Sequence, residues 1–371
     1  MKRAHVSEGS KHSTLKIMLA VTDKAKEKLQ QAIIELKGLK LAQEKRAIAL
    51  LEQNPQSINR LLTLFKNVNK YDIQLNEEVY SYIEKNVDSV AKLSNVIELL
   101  SQTNIPPKSI PFKLLCNGSN GSDELSLSFN LFINKQQIDL PSIILLLSFP
   151  EQSLELASLI ISLQNRAYSI EAIQPSLVAA RKESASDVIE LLTLVLKSGL
   201  FYPDFVNVVV AMGGGVKSVL EGAKRLASRD ILNAGYFDIA KSNPENASMF
   251  AKHIELLVDS ELIDMRNKRQ LSQLSDCGVG VLCFLQQLKK AGKLNAEAFS
   301  IVIQHKAILN DKGIEKQFSE LPLLTQFSGA EIDSILNWMQ EKTSQNATES
   351  IIALIDSYQL ERNESSQSSS L

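Results

Sequence analysis

The stretch with the clearest potential for chemistry is Met212–Ser218, MGGGVKS. A phosphate-cradling loop needs a glycine directly before Lys-Ser and a strand leading into the glycines. Here Val216 precedes Lys217, and the residues before Met212 read as a helix, so the glycines are expected to join two helices. Outside the first fifteen residues the histidines are His253 and His305, and the cysteines are Cys116, Cys277 and Cys283. A Cys–His pair could form if the fold brought Cys277 or Cys283 to either histidine, since nucleophile and base need only meet in space. No local signature supports such a pair, and these residues are expected to be structural. No third ligand sits at metal-binding spacing. No catalytic residue, cofactor or metal is implied. Three cysteines without framework spacing fit a reducing compartment.

Binding surfaces offer slightly more. Arg266, Lys268 and Arg269 form one basic cluster with no interleaved aromatics, and the formal net charge is -2. Neither feature favours nucleic acid. Phe201 and Tyr202 lie in a turn between helices, where partner contacts are often placed. Phe201, Tyr202, Arg266 and Arg269 are therefore the candidate partner contacts. Residues 15–51 carry more lysine and arginine than acid. They suggest a weaker alternative, binding to a membrane surface or an acidic partner. Leu140–Phe149 is too short for a bilayer, and Val188–Met212 is interrupted by Glu190, Lys197, Pro203 and Asp204, so no transmembrane segment is expected. The basic opening lacks a following apolar core, so no secretory signal peptide is expected.

The elements that would position these residues are helices. Glycine (15) and proline (10) are scarce in 371 residues, and helix formers dominate a chain that is 44% hydrophobic. The last apolar residue of successive helices falls at Leu100, Leu131, Leu163, Leu196, Leu226, Leu257 and Leu288, in steps of 31, 32, 33, 30, 31 and 31. Such a period predicts an all-α solenoid of stacked helical hairpins repeating about every 31 residues. A less regular unit sits around Ser57–Val87. Gly199 and Gly292 are expected as left-handed helix caps, and Asn76, Asp264 and Asn295 as N-caps. The expected organisation is a disordered basic tail (1–15), a repeat array (16–306) with a flexible loop at 117–124, an irregular segment with capping helices (307–360), and a disordered polar tail (361–371). Trp338 is expected in the core of a capping helix.

The phrases LKKAGKLNAEAFSIVIQHKAIL and LVLKSGLFYPDFVNVVVAM resemble a helical repeat of Legionella and Coxiella proteins. Leu288, Ala291, Gly292, Leu294, Asn295, Phe299 and His305 match its pattern, and Leu196, Gly199, Leu200 and Phe205 match in part. The resemblance covers about two units and brings no catalytic residues with it. It implies a substrate of a type IV secretion system, made in the bacterial cytoplasm and delivered into a host cell. The polar tail with Glu361 and Glu364 resembles a translocation signal. Together these features predict a non-enzymatic solenoid that binds a protein, either a host protein or another bacterial effector. The runner-up is an enzyme whose site is assembled from scattered side chains such as Cys283, His253 or His305.

Overall fold

The computed structural model describes residues 24–135, 138–180, 184–312, 327–341 and 353–358. It is all-α, with no strand among the described residues. The chain divides after Val178 into two compact units. In the first unit α1 spans residues 24–38. It is followed by α2 (Glu44–Gln53), α3 (Ile58–Lys70), α4 (Glu77–Lys85), α5 (Val90–Ser101) and α6 (Phe112–Gly118). Then come α7 (Ser122–Lys135), α8 (Leu140–Ser148), α9 (Ser153–Gln164) and α10 (Ile170–Val178). The second unit holds α11 (Ala185–Lys197), α12 (Phe205–Ala211), α13 (Val216–Ala227), α14 (Ala234–Ala240) and α15 (Ala247–Val258). It continues with α16 (Lys268–Leu274), α17 (Val279–Lys290), α18 (Ala296–Gln304), α19 (Lys306–Leu309) and α20 (Gly329–Glu341).

Long and short helices alternate from α3 to α18. In the first unit α3, α5, α7 and α9 pack each on the next, and the short helices α6, α8 and α10 do the same. In the second unit α11, α13, α15 and α17 pack in sequence, α14 lies on α16, and α18 on α20. Apolar residues at three- and four-residue spacing explain this contact. On α13 they are Val219, Leu220, Ala223 and Leu226; on α15 they are Phe250, Ala251, Ile254 and Leu257. All of these are buried. Removing a leucine-sized side chain from water contributes about 1.5–3 kcal/mol. No single hairpin could offset its own ordering entropy with so few such residues, so each depends on its neighbours.

The ends of α3, α9, α11, α13, α15 and α17 follow one local design, which α5 lacks. A residue in the left-handed conformation stops the helix, and the next amide bonds back to a carbonyl five residues earlier. Left-handed residues occur at Asp72, Ala167, Gly199, Asp230, Glu261 and Gly292. The returning bonds run from Ile73 to Val68 (2.9 Å), Tyr168 to Leu163 (3.1 Å), Leu200 to Val195 (3.0 Å), Ile231 to Leu226 (3.0 Å), Leu262 to Leu257 (3.0 Å) and Lys293 to Leu288 (2.8 Å). Gly199 and Gly292 take the cap role read from the sequence. Asp72, Ala167, Asp230 and Glu261 take it without the sterically free residue. Most of the pivot leucines are buried at these helix ends. On α7 Phe132 is buried while Leu131 is only half-buried, so the register there shifts by one residue. At α11 the accepting carbonyl is that of Val195 rather than Leu196.

The short helices α4, α8, α14, α16 and α18 begin with Asn or Asp side chains that accept the amide three residues on. Asn76, Asp139, Asn233, Asn267 and Asn295 bond Val79, Ser142, Tyr236, Gln270 and Ala298. Asn267 thus replaces Asp264 as the cap of α16; the Asp264 carboxylate instead accepts from the Arg266 amide.

Residues 117–124 are not the expected flexible loop. They form the end of α6, a 3₁₀ turn over Ser119–Gly121 and the start of α7. The glycines serve close packing: a Cβ on Gly118 would meet Leu147 at 2.6 Å, and one on Gly121 would meet the Pro150 carbonyl carbon at 2.7 Å. The Asn117 amide donates to the carbonyls of Leu147 and Ser148, which ties this corner to the next.

The expected tails, 1–15 and 361–371, lie outside the described residues. Of the expected capping segment, α19, α20 and a short helix at 353–358 are described. The core of α20 is Ile332, Ile335 and Met339; Trp338 is only half-buried.

A left-handed residue other than glycine costs about 1–2 kcal/mol. Glu261→Gly should therefore stabilise the protein by about 0.5–1 kcal/mol, and Gly292→Ala should destabilise it by a similar amount. Urea midpoints of the two variants check this; shifts of the same sign in both would contradict the cap assignment.

Candidate functional site

The site is built on the outer faces of α13, α15 and α17. Burying Val219, Ala223 and Leu226 inward leaves Arg225 facing outward on α13, with Arg229 exposed in the turn that follows it. The same spacing brings Lys252, Glu255 and Asp259 outward on α15. Opposite charges then meet across the helix pair. Arg225 Nε lies 2.9 Å from Glu255 Oε2, and Arg229 Nη1 lies 3.0 Å from Glu255 Oε1. Arg229 also grips both oxygens of Asp259, with Nη2 to Oδ1 at 2.6 Å and Nη1 to Oδ2 at 3.0 Å. Lys289 on α17 extends the chain, its Nζ 3.5 Å from Asp259 Oδ2. The hydrogen bonds from Arg229 hold the Asp259 carboxyl below the usual carboxylate range and raise the guanidinium in turn. These groups are part-exposed, so the network adds little stability. Its main effect is to hold two arginines in fixed positions.

The ladder borders an open hollow of about 420 Å³. Its walls are Arg225, Arg229, Lys252, Glu255 and Asp259, with Leu256, Leu282 and Gln286 completing it. Leu256 and Leu282 are nearly buried and form a small aliphatic floor. A smaller hollow of about 180 Å³ in the first unit lies between α3 and α5, lined by Asn59, Arg60, Thr63, Ala91, Ser94 and Asn95. Beneath it the Asn67 amide donates to Ser94 Oγ at 2.7 Å. Neither hollow brings together a nucleophile, a base and an oxyanion donor, as acyl or phosphoryl transfer would require.

The residues singled out from the sequence are scattered. Phe201 is 6% exposed, so it packs beneath its turn and is withdrawn as a partner contact. Tyr202 is 48% exposed. It starts a line of aromatic contacts through Phe205 (5.6 Å between centroids), Phe237 (5.0 Å), Tyr236 (5.1 Å) and Phe250 (5.9 Å). Arg266 and Arg269 are exposed but do not line either hollow. Gly213–Gly215 forms a 3₁₀ turn at a bend of 103° between α12 and the helix that follows. Gly213 adopts positive φ, and a Cβ on Gly215 would strike Pro244 at 2.6 Å. Helix rather than strand precedes the glycines, which removes the phosphate-loop geometry.

Cys277 is fully buried, its Sγ facing the Gln273 carbonyl at 3.6 Å, and burial pushes the thiol up to about 12. Burial likewise pushes the Cys116 thiol up to about 12. Neither is an activated nucleophile. His305 ends α18, and Cys283 is half-buried on α17. Among the described residues no group of three His, Cys, Asp or Glu side chains could hold a metal ion. No single described helix is long and apolar enough to cross a membrane.

The lining of the larger hollow escaped the sequence reading. A signal was present: Arg225–Glu255, Arg229–Asp259 and Asp259–Lys289 each place opposite charges 30 residues apart. No protein-family model matches the chain, and neither a curated protein nor a solved structure shows significant similarity to it.

His253, next to Lys252 on α15, has no exposure. Its Nδ1 lies 2.9 Å from the Met249 carbonyl oxygen, and its Nε2 makes no hydrogen bond of normal geometry. Burial lowers its pKa to about 4, outweighing the Met249 and Gly278 carbonyls, which favour the charged ring. In the unfolded chain the ring takes a proton near pH 6.5, while the folded protein refuses it down to about pH 4. Stability from this group is complete above pH 6.5 and is lost as pH falls toward 4, by about 3 kcal/mol. Chemical unfolding at pH 7 and pH 4 should show wild type losing about that much more than His253→Leu. Equal losses would contradict a buried neutral histidine.

Proposed function

We propose that this protein is a helical-repeat scaffold that binds another protein, and that the hollow on α13, α15 and α17 is its contact face. One observation carries this: three successive long helices border an open, charged hollow whose arginines are already held by ion pairs. Hot spots favour arginines fixed in place beside a desolvated apolar floor. Stacked hairpins extend such a face along their length, which is the solenoid reading of the repeat. Delivery into a host cell belongs to the same proposal. It rests on the resemblance of Leu288–His305 to helical repeats of Legionella and Coxiella proteins.

A second reading has its own observation. Helix α1 exposes Lys24, Lys26, Lys28 and Lys37 together with Ile34, an arrangement that suits an anionic membrane surface. The hollow is the better site because its charges are ordered, whereas the α1 lysines are solvated.

Capture on the immobilised full chain tests the proposal, using host-cell and bacterial lysates in parallel. The wild type should retain a protein that the combined Arg225→Ala, Lys252→Ala, Gln286→Ala variant loses by about tenfold or more, with helical content unchanged. Retention from host lysate supports delivery; retention from bacterial lysate alone supports the regulator of another effector. Identical capture by both proteins, or retention only of vesicles, would count against the hollow as the contact face.

A further inference from the structure

In the hollow every oxygen of the two carboxylates already faces a cation. Both oxygens of Glu255 are taken, one by Arg225 and one by Arg229. Both oxygens of Asp259 are taken by Arg229, and one also faces Lys289. A cationic ligand would therefore meet carboxylates whose charge the arginines already offset. The cations are in excess: among the described residues Arg225, Arg229 and Lys289 share Glu255 and Asp259, and Lys252 stands beside them. Lys252 forms no ion pair with any described residue, although it stands in the wall one turn before Glu255.

We infer that the hollow recognises an acidic segment of a protein, with an Asp or Glu carboxylate on Lys252 and a neighbouring aliphatic side chain on Leu256 and Leu282. This inference rests on the partner-binding proposal and adds the chemistry of the partner. Charge complementarity decides the sign of the ligand. The aliphatic floor decides its second feature, because a bare anion would leave Leu256 and Leu282 without a contact. The size of the hollow, near the low end for a ligand site, fits one short motif. A nucleic-acid backbone needs a row of unneutralised cations, and here the arginines are already paired. A bilayer headgroup layer is flat and would reach the rim more readily than the floor.

A random-peptide phage library selected on the immobilised full chain tests this. Enriched peptides should carry Asp or Glu beside Leu, Ile, Val or Met. Fluorescence anisotropy of a synthetic copy should show binding weakened about tenfold or more by Lys252→Glu, several-fold by Lys252→Gln, and less than about twofold by Arg266→Glu. Thermal melts followed by circular dichroism establish that each variant is folded, and Lys252→Gln serves if Lys252→Glu is not. Neutral or basic motifs, or equal losses from Lys252→Glu and Arg266→Glu, would overturn the acidic inference while leaving the partner-binding proposal standing. A library that yields no binder at all would overturn both. Co-sedimentation with phosphatidylserine vesicles that Lys252→Glu abolishes, in the absence of peptide binding, would assign the hollow to a membrane and overturn the inference.

Discussion

The structure depends on how each long helix is stopped. A chain that repeats a helical hairpin must reverse direction at the same place in every unit, or the apolar stripes of successive helices fall out of register. After α3, α9, α11, α13, α15 and α17 the left-handed residue and the amide that returns to the carbonyl five residues back make that reversal. At Leu163, Leu226, Leu257 and Leu288 one residue does two things: its side chain fills the core and its carbonyl accepts the returning bond. The next short helix then starts on an Asn or Asp cap in several units, including α14, α16 and α18. Local backbone geometry therefore sets the spacing, and burial of the apolar face supplies most of the energy.

Regular spacing has a consequence on the outer face. When successive helices repeat in register, a side chain stands beside its counterpart one unit away. Charges of opposite sign at such positions form ladders with no further device. Arg225, Glu255, Arg229, Asp259 and Lys289 do so in the second unit, and Lys306 with Asp276 continues the habit at 2.5 Å. In the first unit Lys66 pairs with Glu35 and Arg46 with Glu77, each 31 residues apart. Such exposed pairs contribute little to folding. Each pair restricts two long side chains that would otherwise sample many rotamers.

Much of the fold was legible in the sequence because burial leaves a periodic trace. The helix ends, the glycine caps at 199 and 292 and the Asn caps at 76 and 295 all follow from local chemistry. Other positions were opaque for physical reasons. Ala167, Asp230 and Glu261 adopt a conformation their residue types disfavour, so nothing in their identity announces it. Asn-Gly-Ser-Asn-Gly-Ser at 117–122 carries the composition of a loop, yet its glycines exist to let Leu147 and Pro150 approach. Phe201 lies in a turn but is held down by the core. The hollow was missed because its residues are ordinary surface charges until repeats are aligned and opposite signs are compared one period apart. A basic cluster contiguous in sequence, Arg266 to Arg269, is easier to see than charges brought together by stacking.

The account turns on the hollow of the second unit being where a partner sits. The most direct measurement places a photo-crosslinking amino acid at Gln286, in the wall of the hollow, and separately at Asn120, an exposed position in the first unit. Irradiation of each full-length protein in host-cell lysate, followed by mass spectrometry of the adducts, reads the contact. The account predicts one discrete adduct from position 286, suppressed by Lys252→Glu, and none from position 120. Adducts of the same identity and yield from both positions, or an adduct at 286 indifferent to Lys252→Glu, would contradict it.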